Sequence, residues 1–172
     1  MLLSSTTLRT LIDKGELIVN GPKPLNIQPA SIEMHLSNRV VRRVGRADQA
    51  TEDYKDGAPV SLRPGEFILA STQETIHIPA TLVGQVEGKS SWARRGLLVH
   101  VTAGFIDPGF HGAITLEIVN LSSVNIYPRV GQRIAQLAVH RLDGEPEYLY
   151  GSPELGSHYQ GQATTTEGAY IE

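Results

Sequence analysis

Apolar positions along this chain change period once. Near the start, Leu8, Leu11 and Ile12 recur at helical spacing behind Ser4 and Ser5, and Gly15 follows. The spacing predicts one short helix over roughly residues 5–14, with Ser4 or Ser5 as N-cap and Gly15 as its stop. From Ile27 onward the period is two. In Ser31-Ile32-Glu33-Met34-His35-Leu36 the apolar residues 32, 34 and 36 share one face. Residues 45–58 are polar and aperiodic, and read as a surface loop within the domain. Short strands then recur between turn signals: Phe67–Ala70, Thr75–Ile78, Leu82–Val86, Leu97–Thr102, Ala113–Val119, Val124–Tyr127 and Arg133–Leu142. The expected fold is all-β with a short N-terminal helix, closed as a barrel or jelly roll. The tail, residues 151–172, has no apolar period and is expected to be mobile without ligand.

Composition narrows the class. With 172 residues, 40% hydrophobic and 19% charged, the chain fits one domain with a real core. Seventeen Gly and ten Pro agree with many turns. A net charge of −3 and no Lys/Arg-rich tail give no support for nucleic-acid or membrane partners. There is no cysteine, which removes disulfides, thiol nucleophiles and Cys-based zinc sites. The start, MLLSSTTLRTLIDKGEL, lacks a signal-peptide pattern, and a cytoplasmic location is expected.

The chemistry concentrates between Gly88 and Asn120. Glu117 lies mid-strand, on the face opposite Ile114, Leu116 and Ile118. A carboxylate among β-branched neighbours is either a solvated outer-face Glu or a general base in a pocket. There burial would raise its pKa and an arginine would lower it. Gly88-Lys89-Ser90-Ser91 leads into a predicted helical turn through Arg94, closed by Gly96. It reads equally as an ordinary turn or as a phosphate contact, and it lacks P-loop spacing. Ile106-Asp107-Pro108-Gly109 is a strong turn former, so a plain hairpin is the simpler reading, with the Asp107 carboxylate accepting a hydrogen bond from a ligand hydroxyl as the alternative. The six histidines show no metal-ligand spacing.

This central block closely resembles the dCTP deaminase family, which belongs with the trimeric dUTPases. The N-terminal segment, Gln28–Glu33, Arg63–Phe67, Gly131–Leu137 and the tail Gly156–Gln162 follow in family order. The resemblance implies a distorted β-barrel of the dUTPase-like type, assembled as a homotrimer with active sites between subunits and the tail closing over them. It implies Glu117 as the acid/base that activates water at C4 of cytosine, with Arg94 and Ser90 beside it. The carbonyl of Ala103 would take the exocyclic amine, with Ile106 next to Asp107, which would bind the 3′-hydroxyl. Lys89, Ser90 and Ser91 would meet the phosphates, with Tyr150, His158 and Gln162 arriving from the tail. Mg2+ would come with the triphosphate, with Glu33 meeting it through water, and zinc would have no role. Substrates would be dCTP and dUTP, with dTTP as an inhibitor.

Gly104 stands where deaminase-only enterobacterial members have His, which favours the bifunctional type that carries dCTP through to dUMP and pyrophosphate. Three residues depart from the family pattern: Glu33 for Asp, His35 for Arg and His158 for Lys. Deaminase-only, dUTPase-only and non-catalytic nucleotide-sensing roles are the alternatives.

Overall fold

The computed structural model describes residues 1–44 and 48–168, with side chains described outside 43–49. Its elements run α1 (Ser5–Asp13), β1 (Ile18–Asn20), β2 (Ile27–Gln28), β3 (Ser31–His35), β4 (Arg39–Val44), β5 (Asp48–Asp53), β6 (Phe67–His77), β7 (Leu82–Gly88), α2 (Ser90–Ala93), β8 (Leu97–Val99), β9 (Phe105–Ile106), β10 (His111–Asn120) and β11 (Arg133–Arg141), then a 3-10 turn at Pro153–Leu155. Ser4 caps α1, its side chain accepting from the Thr7 N–H at 3.5 Å, and Gly15 ends it at φ 71°. Leu8 and Leu11 turn inward, as their spacing requires.

Two antiparallel sheets enclose the core. One runs β5-β4-β6-β10-β8, with β1 also on β6, and the other runs β2-β3-β11-β7-β9. The expected closed barrel is not formed: β5 and β8 end one sheet, β2 and β9 the other. Period-two alternation puts Ile68, Ala70, Leu116 and Ile118 of the first sheet against Ile32, Met34, Leu137 and Val139 of the second, all buried. Among the described residues no helix is long and apolar enough to cross a membrane.

Four local expectations change. Phe67–Ala70 and Thr75–Ile78 belong to one strand, β6, running continuously through Ser71-Thr72-Gln73-Glu74. Two of its buried polar residues have partners: Thr72 Oγ1 accepts from the Ile114 N–H at 3.0 Å, and Glu74 accepts from the His35 N–H at 2.9 Å, while the buried Ser71 hydroxyl has none among the described residues. The predicted loop at 45–58 contains β5, paired with β4 and joined to it by ionic side chains, such as Arg39 on Asp53 at 2.9 Å; residues 45–47 lie outside the described residues. Val124–Tyr127 is not a strand and makes only the isolated bridge Leu62↔Ile126. Asp107–Gly109 is not a hairpin tip. β9 pairs with β7 and β10 with β6, so the turn carries the chain from one sheet to the other.

Buried Asn120 fixes the end of β10. Its Nδ2 donates to the carbonyls of Leu62 (3.0 Å) and Val124 (2.8 Å), while Oδ1 accepts from Ser122 N (2.9 Å) and Oγ (2.7 Å). Asn120→Leu, close in volume, should strand these groups and lower stability by about 2–4 kcal/mol. A lower urea midpoint at unchanged slope would show it.

Candidate active site

The outer face of the β6–β10 pair carries an unusual mix. Val41, Leu69 and Glu117 lie directly across from one another on β4, β6 and β10, and Phe67, Val119 and Leu98 form the next row. A carboxylate therefore stands in an apolar field, with its side chain 25% exposed. Over this face lies a cavity of about 800 Å³, within the usual range for small-molecule sites. The sheet forms its floor, the segment 100–107 one wall, and Tyr150 with the tail another.

Glu117 is held at both its backbone and its side chain. β8 pairs with β10 through Ile118↔Val99, so His100 falls opposite Glu117 just past the last paired residue. There the imidazole replaces the backbone ladder, with Nδ1 accepting the Glu117 N–H at 2.9 Å. That bond assigns the ring proton to Nε2, which lies 3.9 Å from Glu117 Oε2. Burial pushes the His100 pKa down, partly opposed by the Glu117 charge and by a backbone hydrogen bond at Ala103. Two residues on, Thr102 gives both its N–H (2.9 Å) and its hydroxyl (3.2 Å) to Oε2. Oε1 has no partner among the described residues.

The wall itself is strained. Ala103 has φ 50°, in the left-handed region where a Cβ costs about 1–2 kcal/mol. Gly104 follows, its carbonyl accepting from the Val86 N–H at 2.8 Å. A Cβ at Gly104 would stand 3.2 Å from the Val86 carbonyl oxygen, so the position favours a residue without a side chain.

Six of the residues selected from sequence meet here: Glu117, Ala103, Ile106, Asp107, Tyr150 and Gln162 all line the cavity. Ser90, Ser91, Lys89, Arg94 and His158 do not. α2 forms as predicted, with Gly96 at φ 88° closing it against Ser122, but Ser90, Ser91 and Arg94 are exposed. The expected Arg94–Glu117 ion pair does not form within the chain, where Glu117 answers to Thr102 and His100 instead. Lys89 pairs with buried Glu33, whose other oxygen accepts from Arg133 at 2.7 Å. Burial raises the Glu33 carboxyl, and Lys89 and Arg133 more than offset it, holding it below the usual carboxylate range. With both oxygens engaged, Glu33 does not fit as a seat for hydrated magnesium. His158 stacks edgewise on Tyr159, 6.1 Å between centroids.

Sequence reasoning passed over His100, Thr102 and Tyr159. His100 carried a usable signal, since the register of β8 against β10 sets it across from Glu117. The cavity's charged lining is acidic: Asp107, Glu117 and Glu167 contribute, and no Lys or Arg does among the described residues.

The chain is similar to known proteins over most of its length. The family model described as dCTP deaminase-like matches residues 2–142. Curated relatives include "dCTP deaminase, dUMP-forming" of Corynebacterium efficiens, 43% identical over 179 residues, covering 96% of this chain and 92% of the relative. The protein of the same name from Mycobacterium avium is 43% identical over 178 residues, covering 96% and 94%. Among solved structures, the 2′-deoxycytidine 5′-triphosphate deaminase of Agrobacterium tumefaciens superposes with a TM-score of 0.66 at 20% identity, over 81% of this chain and 47% of that one. This chain thus spans about half the length of that structure. A mutant dUTPase from phage phi11 of S. aureus, which coordinates a structural Mg(II) ion, shares the fold at a TM-score of 0.55 and 18% identity, over 77% of this chain and 94% of that one. The fold is that of the dUTPase-like proteins, two antiparallel sheets around one core. Within that class the chain belongs to the dCTP deaminase-like family.

The depressed His100 pKa links this site to pH. His100 is neutral in the folded chain and binds protons more readily once unfolded, so its contribution is intact above about 6.5 and is lost as pH falls below it. The melting temperature should therefore drop between pH 7 and pH 5. His100→Asn, which keeps an acceptor near the Glu117 N–H, should flatten that drop in a thermal-shift pH series.

Proposed function

We propose that this protein is a dCTP deaminase that carries its product on to dUMP and pyrophosphate. The observation that carries the reading is the Glu117 carboxylate, fixed through one oxygen and open through the other at a nucleotide-sized cavity. Family membership and the names of the 43% identical relatives support the substrate.

The chemistry follows from that carboxylate. Water at Oε1 gives a proton to Glu117 and attacks C4 of cytosine. Glu117 returns the proton to N3, and a further proton transfer releases ammonia and leaves a C4 carbonyl. One positioned carboxylate of this kind is typically worth about 10²–10⁴-fold. Thr102 keeps it on the attacking side of the ring. The carbonyl of Ala103 takes the exocyclic amine, Asp107 the 3′-hydroxyl, and Ile106 packs beside the sugar. Tyr150 and Gln162 close over the triphosphate as the tail, part of the same single domain, folds down. In the second reaction water cleaves the bond between the α- and β-phosphates. Mg2+ enters with the triphosphate as part of the substrate.

A triphosphate needs cations, and one chain's cavity lining supplies none among the described residues. We assign them to a second copy in a homotrimer, which would bring Arg94, Ser90 and Ser91, with Lys89 and His158 at the phosphate end. An apolar edge supports that assembly. β8 ends its sheet with Leu98 exposed, and Val101, Leu121 and Val124 are exposed nearby. dTTP, a pyrimidine triphosphate without the amine, would compete for the same cavity. A soluble cytoplasmic setting fits these substrates.

The decisive assay follows uracil nucleotide, ammonia and pyrophosphate together from dCTP and Mg2+. Ammonia with dUMP and pyrophosphate is the expected outcome. Accumulating dUTP would mean deamination alone, and dUTP cleavage without ammonia from dCTP would mean a dUTPase. Glu117→Gln should cut ammonia release by at least about 10²-fold with assembly unchanged by size-exclusion chromatography. Full activity in that variant would remove Glu117 from the role.

A further inference from the structure

The turn bearing Asp107 lacks the support of a hairpin, because its flanking strands belong to different sheets. Backbone bonds to Ile78 hold part of it, from the Gly109 N–H to the Ile78 carbonyl (2.8 Å) and from the Ile78 N–H to the Phe110 carbonyl (3.0 Å), and one amide from the tail adds the rest. Gln160 Nε2 donates to the Gly109 carbonyl at 2.8 Å and to the Tyr150 carbonyl at 3.1 Å, and Oε1 accepts from the His111 N–H at 3.0 Å. A single side chain thereby joins the residues after Asp107, the Tyr150 segment and the first residue of β10.

The surroundings are shaped to admit it. Gly151 has φ 92°, and a Cβ there would stand 2.6 Å from Gln160 Nε2. Gly109 has φ 91°, and a Cβ there would press on Leu149 at 2.7 Å. Tyr150 closes the unit: its N–H donates to the Pro108 carbonyl at 2.8 Å, and its hydroxyl accepts from the Tyr159 N–H at 3.1 Å. Just beyond, Ala113 N–H donates to the Gln162 carbonyl at 2.8 Å. Seating of the tail and placement of the Asp107 turn thus share one set of bonds.

We propose that Gln160 is a positioning residue that couples docking of the tail to the placement of the Asp107 carboxylate. Gln160 does not line the cavity and acts through the turn. The catalytic consequence rests on the function proposed above, whereas the coupling itself does not. Displacing a substrate-positioning group by about 1 Å can cost on the order of 10²-fold, and because Asp107 would bind the sugar and not the reacting atoms, the loss falls on KM.

The test is Gln160→Glu in the full chain. The change keeps the acceptor for His111 but sets a carboxylate oxygen against the Gly109 and Tyr150 carbonyls. The KM for dCTP should rise by roughly tenfold or more while kcat changes less than about threefold, because the Glu117 clamp is untouched. Without nucleotide, amide exchange at Tyr150, Tyr159, Gly161 and Ala113 should quicken by about tenfold or more, with β6 and β11 amides unchanged. Gln160→Met, which removes all three bonds without adding charge, should show the same pattern. Unchanged exchange overturns the proposal. So does lost protection with an unchanged KM, and so does a uniform loss that extends through β6 and β11. If the unmodified protein does not turn over dCTP, the proposed function fails, and the nucleotide-free exchange result judges the coupling by itself.

Discussion

The structure depends on how the Glu117 carboxylate is restrained. A charged group on an apolar sheet face has no reason to stay in one rotamer, because water and the cavity compete for it. Thr102 removes that freedom by giving two donors to one oxygen, and His100 fixes the backbone from the other side. The restraint depends on the segment 100–104, which in turn depends on the strained Ala103 and on the stitch from Gly104 to Val86. The geometry of the β10 carboxylate is therefore linked to a contact with β7, in the opposite sheet. Strain of this kind persists where surrounding bonds over-determine it.

The same arrangement separates two charge populations. The cavity lining holds carboxylates, while Lys89 and Arg133 are committed to buried Glu33. Breaking that triad by removing one cation would leave Glu33 under-compensated in a buried site. Lys89 is thus a structural partner within its own chain, and any reach toward a ligand has to compete with Glu33.

Much of the fold was legible because burial follows period. The α1 helix, the inward faces of β3, β10 and β11, and the helical stop at Gly96 all came from spacing and glycine placement. What escaped was polar structure held by specific partners. Thr72 and Glu74 hid the continuity of β6, because their burial depends on Ile114 and His35, distant in sequence. The β4–β5 pair escaped because ionic pairs such as Arg39–Asp53 replace apolar alternation across it. In the site, Glu117 and Asp107 stood out by residue type and context. His100 and Thr102 did not, since their roles exist only once β8 is registered against β10. Arg94 was readable as a candidate cation, yet its place outside the cavity of its own chain was not.

The docked tail has one more effect, on solubility. Gly161 and Gln162 occupy the backbone groups of His111 and Ala113 on the edge of β10 away from β6, along the stretch that β8 does not cover. When the tail lifts, that stretch becomes an unpaired strand edge of the kind that recruits other chains into intermolecular sheets. A lifted tail would therefore expose a nucleus for aggregation, and slow redocking would show up as precipitation at high protein concentration.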